Sequence, residues 1–191
     1  CHWLIITSGY ERQGFSKSWI SQRENEVRTV SKLYGFKSVT QLQYPTAELE
    51  TVPKKELVSG ISDVVRKIKP SIIYLPFWGD VHSDHGIVFD AGAACTKSFR
   101  FPFLRAVRAY ETLSETEFSL KPNTGTFKPN YFVEIDDFLS DKLEIMKIYA
   151  SEVMTGNGPR SINAITALAN YRGSTISCNA AEAFLSLKEI A

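Results

Sequence analysis

The chain is poor in the residues that usually announce a chemistry. It has 191 residues but only three histidines, three cysteines and two methionines. Cys1, Cys95 and Cys178 are far apart and odd in number, which argues against a disulfide framework or an all-cysteine zinc site and makes a reducing cytoplasm the default location. No apolar run is long enough to span a bilayer. Neither charge sign is in surplus: 22 Lys and Arg against 21 Asp and Glu give a net +1, so nothing marks a dedicated nucleic-acid binder. There is no internal repeat and no low-complexity stretch. With 43% hydrophobic residues, the length suits one globular domain, residues 1–191, with a real core.

Two of the three histidines fall within four residues, in Ser71–His85: Ser-Ile-Ile-Tyr-Leu-Pro-Phe-Trp-Gly-Asp-Val-His-Ser-Asp-His. The run Ser71–Leu75 reads as a buried strand ended by Pro76. A loop carrying Asp80, His82, Asp84 and His85 is expected to follow, facing the crevice at the carboxyl end of a sheet.

The rest alternates. Trp3–Thr7 and Ser38–Leu42 read as strands and Trp19–Tyr34 as a helix stopped at Gly35. Tyr44–Lys55 is a connection, and Glu56–Ile68 a helix with Leu57, Ile61, Val64, Val65 and Ile68 on one face, ended by Pro70. Gly86–Phe99 returns to helical spacing. Ala106–Tyr110 and Tyr131–Ile135 are strands split by a turn-rich segment, Lys121–Asn130. Asp136–Ala150 and Ile162–Tyr171 are helices, the latter closed by Gly173. Ser174–Ala191 is open between strand and helix. The alternation implies an α/β fold with a mostly parallel sheet and helices on both faces.

Imidazole is the commonest metal ligand and the commonest acid–base group. A nearby carboxylate can orient it and stabilise its protonated form. One histidine can therefore hold a metal while the other, steered by Asp84, handles protons. The bland alternative is a solvated polar loop; the position after a buried strand favours function.

These residues match a known pattern. Gly79–His85 resembles the H-P-D-H signature of the PIG-L/LmbE-like zinc N-deacetylases, with Ser83 in place of the proline. Leu4–Glu11 resembles that family's second strand, and Arg23-Glu24-Asn25-Glu26 with Gly35 its R-x-x-E helix. Phe127–Ile135 resembles its K-P-N-x-F-V-D-I strand, and Pro159-Arg160 through Tyr171-Arg172-Gly173, then Ala181–Phe184, its C-terminal substrate-side segment.

The resemblance implies a Rossmann-like three-layer sandwich. It also implies hydrolysis of the N-acetyl group of an N-acetylglucosamine-type sugar conjugate by metal-activated water. The metal would be Zn2+, although another divalent ion fits the donor types. His85 would be a ligand. His82 would be a protonated residue that meets the oxyanion and helps the amine leave, held by Asp84. Arg23 would face the catalytic carboxylate or the substrate. An amino-sugar conjugate is the implied partner, without nucleic acid or a membrane span, and a homo-oligomer is left open. The family's other ligands and its base lie in an H-P-D-D motif after a first strand, and no such motif occurs here. The expectation is that this first strand and helix are absent from the chain, which would leave it with little or no activity, or make it a homologue that only binds a carbohydrate or a protein.

Other residues carry two readings each. Arg23 could simply pair with Glu26, and Arg160 could grip a substrate anion or pair with a neighbouring loop. Asp80 could line the mouth of the site and touch substrate, or start a turn after Gly79. Tyr10, Trp19 and Trp78 could stack on a sugar or sit in the core. His2 reads as a surface residue and Lys54-Lys55 as a solvated helix start.

Overall fold

A computed structural model describes residues 1–120 and 125–191, so the first four residues of the expected turn-rich segment Lys121–Asn130 lie outside the described residues. The fold is mixed α/β, with five α-helices and two sheets among the described residues. Strands β1 (His2–Ser8) and β2 (Ser38–Pro45) form a two-stranded sheet. Strands β3 (Ile72–Pro76), β4 (Ala106–Tyr110), β5 (Tyr131–Glu134) and β6 (Ala181–Glu189) form a second, in the order β3-β4-β6-β5. The open tail is therefore a strand. β3 and β4 are parallel, in register from Ile72↔Ala106 to Pro76↔Tyr110, whereas β4 and β6 are antiparallel with an irregularity at Val107/Arg108.

The chain divides into two compact units. The first comprises Cys1–Gln43 and Phe132–Glu182. Its helix α1 (Lys17–Leu33) starts at Ser16, whose hydroxyl accepts the Trp19 N–H at 3.1 Å, and buries Val27 and Val30. Helix α4 (Leu139–Ile148) and helix α5 (Ile162–Ser174) enclose Ile135, Leu139, Ala169 and Ala180. Gly173 does not close α5; the helix runs one residue past it. The backbone of Asn179 and Ala180 crosses so close that a β-carbon at Gly173 would sit 2.7 Å from the Ala180 nitrogen. Asp136 ties down the same crossing: its carboxylate accepts the backbone N–H of Ala180 at 2.7 Å and of Asn179 at 3.2 Å, and the Asn179 amide at 2.7 Å.

The second unit comprises Tyr44–Tyr131 and Ala183–Ala191. Helix α2 (Lys54–Ile68) buries Leu57, Ile61 and Val65 as its spacing predicts, and the left-handed Lys69 (φ 52°) ends it before Pro70. Helix α3 (Ser83–Ala94) packs on α2 and on β3. Its contact with β3 is close because Gly92 has no side chain: a β-carbon there would lie 2.5 Å from Leu75 Cδ2. α3 begins three residues earlier than its apolar spacing indicates. Ser83, Asp84 and His85 form its first turn rather than a loop, because the His82 side chain supplies the N-cap.

The first unit can be tested in two ways. Gly173→Ala, which on helix propensity alone would stabilise, should instead cost about 1–3 kcal/mol because rigid backbone blocks the new methyl; urea unfolding of the variant checks this. The second test concerns acid. Backbone and side-chain hydrogen bonds from Ala180 and Asn179 hold the Asp136 carboxyl below its usual pKa. At Glu26 burial opposes ionisation, but hydrogen bonds from Ser151 and Gln22 and the charge of Arg23 outweigh it, so this pKa is lowered too. Both groups favour the folded state while ionised. Their contribution is complete above the unfolded carboxyl pKa values of about 4 and is lost as pH falls through the lower folded values. The urea midpoint should therefore drop below about pH 4, and less steeply in Asp136→Asn.

Candidate active site

β3 ends at Pro76, and the chain then folds tightly onto the segment that follows β4. The Phe77 N–H donates to the Tyr110 carbonyl at 3.1 Å and the Val81 N–H to the Glu115 carbonyl at 3.0 Å, while the Ser119 hydroxyl donates to the Gly79 carbonyl. Gly79 is required in this turn, since a β-carbon would meet the buried Phe77 ring at 2.4 Å. The turn delivers Asp80 to a fully buried position, with 0% exposure.

A buried carboxylate is tolerated only if it is supplied with donors. Thr116 donates its hydroxyl to Asp80 Oδ1 at 2.7 Å, and that hydroxyl in turn accepts the Thr112 N–H at 2.8 Å. His85 Nδ1 meets Asp80 Oδ2 at 2.7 Å. An ionised carboxylate only accepts, so Nδ1 is the donor, and in the neutral imidazole Nε2 then keeps the lone pair. This carboxylate–histidine pair fixes both tautomer and ring orientation, as in the outer shell of many metal ligands. Asp80 thus orients the His85 ring, and its carboxylate is fully buried. The charge of Asp80 adds to burial in pushing the Tyr110 hydroxyl up to about 12, so Tyr110 stays protonated.

Asp84 does not hold His82. Its carboxylate, also buried, turns away to accept the backbone N–H of Ala47 at 2.7 Å and of Leu49 at 3.3 Å. Ala47 sits at φ 55°, a left-handed conformation that an alanine adopts only when held. The bond between His82 and Asp84 runs the other way: the Asp84 backbone N–H donates to His82 Nδ1 at 3.2 Å. As the cap acceptor, His82 Nδ1 bears no proton, and its neutral ring presents an N–H at Nε2. The two imidazoles, three residues apart on the first turn, stack with centroids 5.1 Å apart and planes at 17°.

The structure thus brings Asp80, His82, Asp84 and His85 together in the second unit. Arg23 and Arg160 lie in the first, where both bind Glu152. Arg23 donates to the Glu152 carboxylate at 2.6 Å and to the Ser151 hydroxyl at 3.0 Å, and is 3.7 Å from Glu26. Arg160 Nε donates to the Glu152 carbonyl at 3.1 Å. Of their two readings, pairing with neighbouring segments is the one the geometry shows. Trp78 packs against Phe77 and Phe89, and Trp19 stacks on Phe15. Thr112 and Thr116 were not legible as site residues. Their only signal is position: parallel pairing of β3 and β4 puts the segment after Tyr110 beside the turn after Pro76.

The chemistry of the donor set fits one half of a metal site. His85, backed by a buried carboxylate, has the arrangement of a metal-ligating histidine. Among the described residues, no group of three or more His, Cys, Asp and Glu side chains gathers to complete a coordination shell.

Solved structures share this architecture. The conserved protein TT1542 from Thermus thermophilus superposes with a TM-score of 0.72 at 23% identity, over 98% of this chain and 82% of that one. The N,N'-diacetylchitobiose deacetylase from Pyrococcus horikoshii gives 0.71 at 19% identity, over 98% and 72%. GalB, the 4-carboxy-2-hydroxymuconate hydratase from Pseudomonas putida KT2440, gives 0.73 at 15% identity, over 98% and 85%. At such identities the likeness is one of fold. The sequence goes further: residues 1–96, half of the chain and including the capped histidine turn, match the family PIG-L, GlcNAc-PI de-N-acetylase, and the chain belongs to that family.

Proposed function

We propose that this protein is a metal-dependent N-deacetylase that removes the acetyl group from an N-acetylglucosamine-type sugar conjugate. The observation that carries the reading is the pair His85–Asp80, a lone-pair Nε2 fixed by a buried carboxylate at 2.7 Å. Family membership and the chitobiose deacetylase fold support the same reaction class.

His85 would hold the metal through Nε2, with Asp80 and Thr116 keeping the ring in place. A bound divalent metal, zinc by family, supplies Lewis acidity toward the amide and an acidified water. His82, neutral while Nδ1 caps the helix, would donate a hydrogen bond from its Nε2–H to the oxygen on which charge develops. Asp84 keeps the turn in position by clamping Ala47 and Leu49. Arg23 and Arg160 act on this reading through the segment they anchor, not through substrate.

The single histidine so arranged also supports a second reading, a family member that binds an amino-sugar conjugate or a protein without turning it over.

Metal affinity separates the residues. Cobalt or zinc titration should show His85→Ala abolishing binding, Asp80→Asn weakening it about 10–100-fold, and His82→Ala leaving it intact. Equal retention in the His82 and His85 variants would contradict these roles. Asp84→Ala should leave two backbone N–H groups without their acceptor and cost about 1–3 kcal/mol in urea unfolding, where an exposed carboxylate would cost almost nothing. For the reaction, the test is acetate release from N-acetylglucosamine derivatives. The deacetylase reading expects release that stops with chelator and in His85→Ala, and that slows in His82→Ala. Release untouched by chelation would remove the metal from the scheme. No release at any zinc concentration, with a sugar conjugate still bound, would leave the binding module.

A further inference from the structure

The second unit is electrically polarised along its strands. At the carboxyl ends of β3 and β4 lie Asp80, Asp84, Glu111, Glu115 and Glu117. At the amino ends, six exposed cations gather: Arg66, Lys67 and Lys69 from the end of α2, Lys97 and Arg100 from the segment after α3, and Arg105 just before β4. These three segments touch. The Arg66 guanidinium lies 5.5 Å from the Phe101 ring centre, and the Arg105 N–H donates to the Ser71 carbonyl at 2.7 Å, two residues beyond Lys69. The acidic residue paired within this group is Asp63, 3.4 Å from Arg66 and itself 72% exposed.

The segment after α3 is built to present an apolar side chain among those charges. Phe101 and Leu104 are buried at 2% and 1%, and Lys188 Nζ holds the Thr96 carbonyl at 2.8 Å and the Ser98 hydroxyl at 2.6 Å. The N–H groups of Arg100 and Phe101 both donate to the Lys97 carbonyl at 2.9 Å. Between these anchors Phe99 stands 79% exposed, with the Arg100 guanidinium 5.5 Å from its ring centre. An ordered turn that holds a phenylalanine out in water has no role in the core. Phenylalanine flanked by Lys and Arg is the composition that seats at a bilayer interface, the ring entering the acyl boundary and the cations meeting anionic headgroups. A polyanion without apolar or stacking groups, such as a sulfated polysaccharide, would use the cations but gain nothing from the ring.

We propose that the Phe99-tipped basic end of the second unit docks on an anionic lipid surface. The histidine turn sits at the other end of α3, about 18 Å of helix away, so a docked chain turns its histidines away from that bilayer. The proposal is independent of the deacetylase reading.

Vesicle co-sedimentation of the 191-residue chain tests it. Vesicles of phosphatidylcholine alone are compared with vesicles containing about one-third phosphatidylserine. The proposal expects binding only with phosphatidylserine, and loss of most of it at about 1 M salt, where screening length falls to ~3 Å. Each cation removed should weaken binding about fivefold, so Lys97→Gln with Arg100→Gln should lose about 25-fold. Phe99→Ser, at unchanged charge, should lose several-fold. Equal pelleting with both vesicle types, or a double variant that binds like wild type, overturns the proposal. So does a Phe99→Ser variant with full vesicle binding, above all if heparin binds wild type and Phe99→Ser alike, because the surface then reads charge alone.

Discussion

A fully buried carboxylate governs the architecture around the histidines. Placing Asp80 out of water costs several kcal/mol unless hydrogen bonds replace its hydration. The replacements come from two directions, His85 on the first turn of α3 and Thr116 on the segment after β4. Satisfying them fixes the relation between those elements. Gly79 must be glycine so that the turn can pass the Phe77 ring, and the segment after Tyr110 must fold back so that Thr116 can reach, its own hydroxyl steadied by the Thr112 N–H. The imidazole tautomer is then a consequence of packing, and the ring is oriented by a fully buried carboxylate.

The neighbouring carboxylate does different work. Asp84 and Asp80 are four residues apart and both buried, yet one orients a ring and the other holds backbone. What separates them is the start of α3. With His82 as N-cap, Asp84 falls on the first turn, where the helix end favours negative charge and the side chain can reach the chain after β2. A sequence pattern of histidine, carboxylate, histidine suggests triad-like steering within the motif. The helix start redistributes the partners: the second histidine takes its carboxylate from before the motif, and the first takes a backbone N–H from within it.

Strand–helix alternation, the apolar face of α2 and the placing of the histidines after a strand are legible in the sequence, although β3 is buried only at Leu75 and Pro76, with Ile72 and Tyr74 exposed. The start of α3 is not, because histidine is an uncommon cap and the polar Ser83, Asp84 and His85 add nothing to the apolar spacing that begins after them. Gly173 has the look of a helix stop, since the approach of Asn179 and Ala180 is a tertiary event with no local trace. Thr116 is invisible for the same reason. The pairing of Arg23 with Glu152 spans 129 residues, which no spacing rule can reveal.

The fold alone does not choose the reaction. A hydratase and a deacetylase superpose on this chain with nearly equal TM-scores, 0.73 and 0.71, so the frame tolerates distinct chemistries and the decision rests on side chains at the ends of strands. Here those side chains are two imidazoles with fixed and opposite tautomers, one offering a lone pair and the other an N–H. Metal-assisted amide hydrolysis uses both at once: an atom to hold the Lewis acid and a hydrogen-bond donor for the oxygen that becomes basic as the carbonyl turns tetrahedral. A single histidine cannot supply both, and two histidines with the same tautomer would compete for one role. The opposite assignments follow from different partners, a buried carboxylate for His85 and a helix N–H for His82. On the deacetylase reading, the capped first turn of α3 is therefore the part of this protein that selects acyl transfer over the other chemistries its fold supports.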